Sequence, residues 1–238
     1  MRNEPATTML DLYELLARAR GVSASELTVD EREQLWARAL PLLWPGYERI
    51  AGSERADSEP IQIEPYDKRW PARFESWRQK LDPLLEPVAR RIAHVGSTSV
   101  PGLAAKPVID IGVGVVELGD EASYVPAIES LGVQLRSRDD EHRYFRPFAG
   151  RPRDVHIHVW VAGSAFERRH LLFVDYLRTS DGARGRYRAA KVAAAARWPD
   201  DRLAYTEAKS EVIARLMGEA EVWARATGWS VTARSGAR

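Results

Sequence analysis

The segment "PVIDIGVGV", Pro107 to Val115, constrains this chain more than any other stretch. Successive side chains of a strand point to opposite faces. One face then carries Pro107, Ile109, Ile111, Val113 and Val115, and reads as a core face. The other carries Val108, Asp110, Gly112 and Gly114, one carboxylate beside two positions without side chains. That pattern predicts the floor of a cleft, with Asp110 pointing into it. An ionised carboxylate in a dry interior costs several kcal/mol unless it is paired. Asp110 therefore needs a cation, a metal or water; capping a turn or pairing with a structural arginine is the alternative.

A second polar strand has the same build. In "RDVHIHVWV", Val155, Ile157, Val159 and Val161 share one face, and Asp154, His156, His158 and Trp160 the other. Two histidines at i and i+2 lie roughly 6–7 Å apart along a strand. They can line one pocket and join a carboxylate around a metal, or they can be ordinary hydrogen-bonded sheet histidines. In "HRYFRPF", His142, Tyr144, Arg146 and Phe148 share a face, with Arg146 placed to meet an anion or Asp110. The turn "GSTS" precedes the first strand. Gly96 lets backbone approach a ligand, and Ser97, Thr98 and Ser99 add donors, an arrangement that can receive phosphate. Lys106 closes the same connection. The spacing is not that of a Walker A loop, and an ordinary turn is the other reading.

The rest of the chain supplies a scaffold. Of 238 residues, 45% are hydrophobic, enough for one substantial core plus an extension. Net charge is +1, so neither nucleic acid nor a membrane is an expected partner. Residues 1–60 carry −4 and residues 61–238 carry +5, a mildly basic second part that suits a small anion. The absence of cysteine excludes disulfides, thiolate metal sites and a cysteine nucleophile. No apolar run approaches the ~20 residues of a membrane span, and the first residues lack a signal peptide's apolar centre. A cytoplasmic protein is expected.

Residues 1–51 read as a helical hairpin. Leu12, Leu15, Leu16 and Ala19 line one side of its first helix, with Gly21 as a stop. Thr28 and Glu31 form a capping box for the second, which Pro41 bends or ends. The hairpin needs a partner surface, either the main body or a second copy in a homodimer. Residues 52–60 read as a linker, 61–230 as the main domain and 231–238 as a disordered tail. Within the main domain, strands are expected at 61–65, 89–95, 108–116, near 133–137, and in the two polar segments. Helices are expected at 69–86 and in the segment from Asp120, and then at 164–179, 183–197 and 202–227. The fold class is α/β (α+β), a mixed sheet with flanking helices and a helical C-terminal segment. "YRAAK" and "YTEAK" each place a tyrosine four residues before a lysine, on one helical face.

Taken in order, "IEPYDKRWPARFE", "HVGSTSVPGLAAKPVIDIGV", "HRYFRPF", "HIHVW", "FVDYLR", "YRAAK" and "YTEAK" resemble the GrpB family, over about Ile61 to Trp229. The resemblance implies a nucleotidyltransferase-like fold. It implies that Gly96 and Ser97 position phosphates and that Asp110 is the first metal-binding carboxylate. The position of its partner carboxylate is Gly112, and the strand that supplies a third carries His156 and His158. Arg178, Lys191, Tyr205 and Lys209 match basic and aromatic residues of the family's helical end and could hold phosphate; helix-surface lysines and packed tyrosines are the plain alternative. Val174 stands where relatives commonly have arginine.

The expected function is binding of a nucleotide or another phosphorylated small molecule, with nucleotidyl or related group transfer. In that case Asp110, His156 and His158 are the catalytic and metal-ligating candidates, and Mg2+, Mn2+ or Zn2+ the candidate ions. The alternative is a non-catalytic binding or regulatory module, which Gly112 favours because it removes a ligand from the usual two-metal site. A scaffold with a vestigial cleft is the third reading.

Overall fold

The structure, a computed structural model, describes residues 8–50 and 60–231. The expected linker and tail lie outside the described residues, apart from Pro60 and Val231. Helices α1 (Met9–Arg20) and α2 (Val29–Leu43) form the N-terminal hairpin, followed by a two-residue strand β1 (Glu48–Arg49). The main body runs α3 (Trp70–Leu85), β2 (Ala89–Val95), β3 (Ile109–Val115), α4 (Val125–Glu129), β4 (Val133–Arg138), β5 (Arg143–Pro147) and β6 (Val155–Val161). Four helices follow: α5 (Ala165–Thr179), α6 (Asp181–Arg197), α7 (Arg202–Glu207) and α8 (Ser210–Thr227).

The strands form one mixed sheet in the order β1-β4-β5-β6-β3-β2. Only the central β3–β6 pair is parallel; its register sets Asp110 beside His156 and Gly112 beside His158. The aliphatic face of β3 and β6 is buried with Trp70, Leu81 and Leu85 of α3 and Ile128 of α4. On the opposite face, Val95 and Trp160 pack against Leu171 of α5. The polar face of β3 is thus turned toward the C-terminal helices.

Local chemistry explains the boundaries. Thr8 with Asp11 and Thr28 with Glu31 complete capping boxes at α1 and α2. Gly21 ends α1 in the left-handed region at φ 70°. Four expectations need correction. Segment 61–65 is no strand: it makes a single bridge, Glu64 to Ala105, while the Ile61 N–H is drawn off to the Pro199 carbonyl. Of the two outcomes expected of Pro41, ending the helix does not occur: α2 runs two residues further, to Leu43, without the N–H bond that proline lacks. The span 202–227 is two helices, broken at Ala208-Lys209, and the segment after Asp120 is a 3-10 turn plus the short α4.

The buried stripe of α1 is Met9, Tyr13 and Ala17, whereas Leu15 is 65% exposed. Leu12 and Leu16 pack half-buried against the same cluster, as expected, but Leu15 and Ala19 are exposed, because the stripe centres on a tyrosine whose polar end has a distant partner. The Tyr13 hydroxyl donates to Asp201 Oδ2 at 3.1 Å, across 188 residues of chain. Asp201 Oδ1 also caps α7, and Arg32 Nε lies 3.4 Å from Asp201 Oδ2. The hairpin's apolar face is therefore spent on this chain's own Trp198, Ala204 and Tyr205. Tyr13→Phe keeps the shape and removes one buried hydrogen bond. The expected cost is about 1 kcal/mol in urea-induced unfolding; no change would show that Asp201 does not anchor the hairpin through this hydroxyl.

Candidate functional site

Asp110, His156 and His158 converge on the polar face of β3 and β6. His156 Nδ1 lies 3.1 Å from Asp110 Oδ1, and His158 Nε2 lies 3.7 Å from the same oxygen. A carboxylate only accepts, so His156 Nδ1 carries the hydrogen, and the lone pair of the neutral ring is on Nε2. Burial pushes the Asp110 carboxyl up, but the hydrogen bonds and charge of His156 and His158 outweigh it and hold the group below the usual carboxylate range. Burial likewise lowers His156, against the pull of Asp110. The Asp110 side chain keeps 25% of its surface open, so the trio faces space rather than packed hydrocarbon. The plain alternative of an arginine partner does not hold, since both contacts of Asp110 are imidazoles.

His142, which the sequence placed on this face without assigning it a role, extends the group. Its Nε2 lies 2.9 Å from His158 Nδ1, which orients the His158 ring and directs its Nε2 toward Asp110. Burial and the neighbouring His158 hold His142 well below the usual histidine value.

The two Tyr-x3-Lys echoes meet beside this cluster. Lys191 Nζ lies 4.8 Å from the centre of the Tyr187 ring, and Lys209 Nζ 4.0 Å from that of Tyr205. Lys106 Nζ reaches the same Tyr205 ring at 4.8 Å. Lys191 is 2% exposed and Lys209 9%. Lys191 donates to the Ala104 carbonyl, and the Tyr187 hydroxyl lies close to the Ser97 side chain. Burial pulls Lys106 down to about 8, and Lys191 and Lys209 to about 7. Lys106 and Lys191 lower Lys209 further, whereas Asp110 raises all three. No carboxylate among the described residues lies within ion-pair distance of these lysines. Tyr187 was the unassigned member of the set; its i, i+4 spacing to Lys191 was the signal available.

Other expected residues have structural work. Gly96, at φ 66°, gives the turn its left-handed start, and a Cβ there would sit 2.2 Å from Asp110 Oδ2. Thr98 donates to the Val108 carbonyl and is bonded to His94 Nε2 at 3.0 Å. Ser99 donates to the Gly96 carbonyl at 2.8 Å. Arg178 holds the Ser99 carbonyl through Nε and Nη2 at 3.1 and 2.8 Å, bracing the turn from behind. Of the turn's three hydroxyls, that of Ser97 is the one close to the lysine–tyrosine group. Asp154 leaves the trio for Arg73, 3.8 Å away.

The open floor expected over Gly112 and Gly114 is filled. A Cβ on Gly112 would lie 2.4 Å from Trp160 Cζ2, and one on Gly114 2.7 Å from Glu167 Oε1. Trp160 therefore occupies the space that a second carboxylate would need. A two-ion site built on paired carboxylates does not fit these residues. A single ion does: one donor atom from each of Asp110, His156 and His158 lies within 4.8 Å of the others. Two imidazoles and one carboxylate suit Zn2+ or Mn2+ better than Mg2+.

Lys106 also lines a cleft of about 1010 Å³. Its walls bring Lys106 and Arg146 together with Arg136, Arg151, Arg153 and Arg202. Burial, with Arg153 and Arg136 nearby, lowers Arg146 to about 10.

The chain matches a protein family described as "GrpB protein" over residues 60–219. The chain belongs to the GrpB family. A UPF0157 protein of Halalkalibacterium halodurans is 36% identical over 174 residues, covering 73% of this chain and 89% of that protein. The crystal structure of GrpB from Enterococcus faecalis superposes with a TM-score of 0.61 at 30% identity, covering 68% of this chain and 99% of the other. A protein of Mycolicibacterium paratuberculosis named dephospho-CoA kinase is 29% identical over 234 residues, covering 87% of this chain and 56% of its own length. In this GrpB protein no helix among the described residues is long and apolar enough to cross a membrane.

Proposed function

We propose that this GrpB protein binds a nucleotide or another phosphorylated small molecule, with a phosphate held by Lys106, Lys191, Lys209 and the Ser97 and Tyr187 hydroxyls beside Asp110. One observation carries the reading: three lysines are drawn into the protein around two tyrosine rings, and no carboxylate among the described residues is at ion-pair distance. Burying an ammonium costs free energy that neighbouring like charges increase. A phosphate offsets that cost with short, charge-assisted hydrogen bonds. Group transfer to an acceptor would use the trio, with Asp110 orienting the acceptor hydroxyl and neutral His156 taking its proton. An ion held by Asp110, His156 and His158 would supply Lewis-acid polarisation of a phosphoryl oxygen. The single lone pair of neutral His156 can serve as base or as ligand, not both. The second reading is a binding module without turnover, and Trp160 in the place of a second carboxylate favours it.

Thermal-shift and calorimetric titrations with inorganic phosphate, ATP and dephospho-CoA, with and without Mn2+ or Zn2+, test the proposal. The relative named dephospho-CoA kinase motivates the third ligand. ATP at 100 times its Kd is expected to stabilise the native chain by about 2.7 kcal/mol. Lys191→Met should abolish most of that shift, and Asp110→Asn only its metal-dependent part. Shifts indifferent to Lys191, or absent with every ligand, would sink the proposal. Release of pyrophosphate from ATP separates transfer from simple binding.

A further inference from the structure

We infer that the arginine-lined cleft is a second phosphate subsite, continuous with the lysine pocket, and that the ligand carries at least two phosphate groups in line. The inference rests on the lysine pocket's holding one of them. Among the described residues, seven basic side chains line the cleft, together with Glu64 and Asp154. A volume of about 1010 Å³ is at the upper end of small-ligand pockets and far exceeds what one phosphate fills.

The two regions join at named residues. Lys106 lines the cleft and also reaches the Tyr205 ring that Lys209 covers. Arg146 lies two residues from Tyr144, which pairs with His158, so both project from the same face of β5. A chain of phosphates leaving the lysines would therefore run along the sheet face and reach Arg146 and Arg153. The side-chain types differ as such a division requires. The enclosed end offers ammonium point charges, and the open end offers guanidinium forks that bind two phosphate oxygens at once.

Calorimetric titration of the full chain with orthophosphate, pyrophosphate and tripolyphosphate, at constant ionic strength, tests this. Tripolyphosphate is expected to bind roughly tenfold or more tightly than orthophosphate, since one charge-assisted contact is worth about that factor. Arg146→Gln with Arg153→Gln should remove the gain and leave orthophosphate affinity within about twofold. Arg146→Lys keeps the charge but not the fork and should fall between. Arg151→Gln, at an exposed wall position, gives a smaller loss of the same kind and does not burden folding. The inference is overturned if chain length adds nothing, or if the arginine variants weaken all three anions equally. It is also overturned if a short single-stranded RNA holds the arginines against saturating tripolyphosphate. Failure of the lysine pocket looks different: orthophosphate binding would then survive Lys191→Met, whatever the arginines do.

Discussion

Gly112→Asp is expected to give a protein that folds poorly or not at all, rather than one with a second carboxylate on the floor beside Asp110. The simpler change Gly112→Ala already places a methyl 2.4 and 2.5 Å from two carbons of the Trp160 ring and 3.3 Å from Val95. Trp160 is 1% exposed, and its ring belongs to the packing between Val95 and Leu171, so it cannot swing clear. Forcing atoms into a packed core costs about 1–3 kcal/mol. At about 2 kcal/mol, Gly112→Ala should lower the melting temperature by roughly 4–8 °C. The aspartate adds the cost of an ionised group at a filled position. The clash has one identifiable partner, so Gly112→Ala with Trp160→Phe should be less destabilised than the sum of the single changes, in a double-mutant cycle read by urea unfolding. A folded Gly112→Asp protein that melts like wild type and takes up two ions would refute this account of the site.

The same packing sets what the floor can hold. The space in which a second carboxylate would stand beside Asp110 is taken by a tryptophan from the neighbouring strand, and that tryptophan is part of the core. What remains on the floor is Asp110 with two imidazoles, a donor set for one borderline ion or for none.

Much of this was legible in the sequence, and the parts that were not share a cause. The alternation in 107–115 and 154–161 places Asp110, His156 and His158 on one face, and the parallel register of β3 and β6 brings them into contact. The Tyr-x3-Lys spacing correctly pairs Lys191 with Tyr187 and Lys209 with Tyr205. Alternation reports a side chain's face but not what stands above it. Gly112 and Gly114 thus read as space, although Trp160 from β6 and Glu167 from α5 fill it. Thr98 and Ser99 read as ligand donors, although carbonyls at Val108 and Gly96 claim them. The convergence of Lys106 with two lysines more than eighty residues later, and of Arg136 and Arg146 with Arg202, depends on tertiary contacts that no local spacing encodes.

Phosphate binding should weaken as pH rises above about 7, and it should take up protons from solution. Lys191 and Lys209, held near 7, and Lys106, held near 8, are largely uncharged at pH 9 in the unliganded fold. A phosphate beside them restores their protons, so binding at pH 8 should consume protons. The measured enthalpy should then differ between buffers of different ionisation enthalpy. The stability of the unliganded protein should move the opposite way. An unfolded lysine titrates near 10.4, as an unstrained side chain does. Between about pH 7 and pH 10 the unfolded chain therefore binds more protons than the native one, and stability contributed by these groups rises with pH. Below pH 7 all three are charged in both states, and the full cost of burying them is present. The other groups that act on them are Asp110, which raises all three, Arg188, which lowers Lys191, and Arg202 and Arg153, which lower Lys106. Lys191→Met removes one of the three buried charges. At pH 7, without ligand, it should be at least as stable as wild type. Its advantage should shrink as pH rises toward 10 and reverse when phosphate saturates the wild type. Melting temperatures of the two proteins from pH 6.5 to 9.5, with and without phosphate, decide the matter. Parallel curves would mean that Lys191 is an ordinary structural lysine and that its burial has nothing to do with an anion.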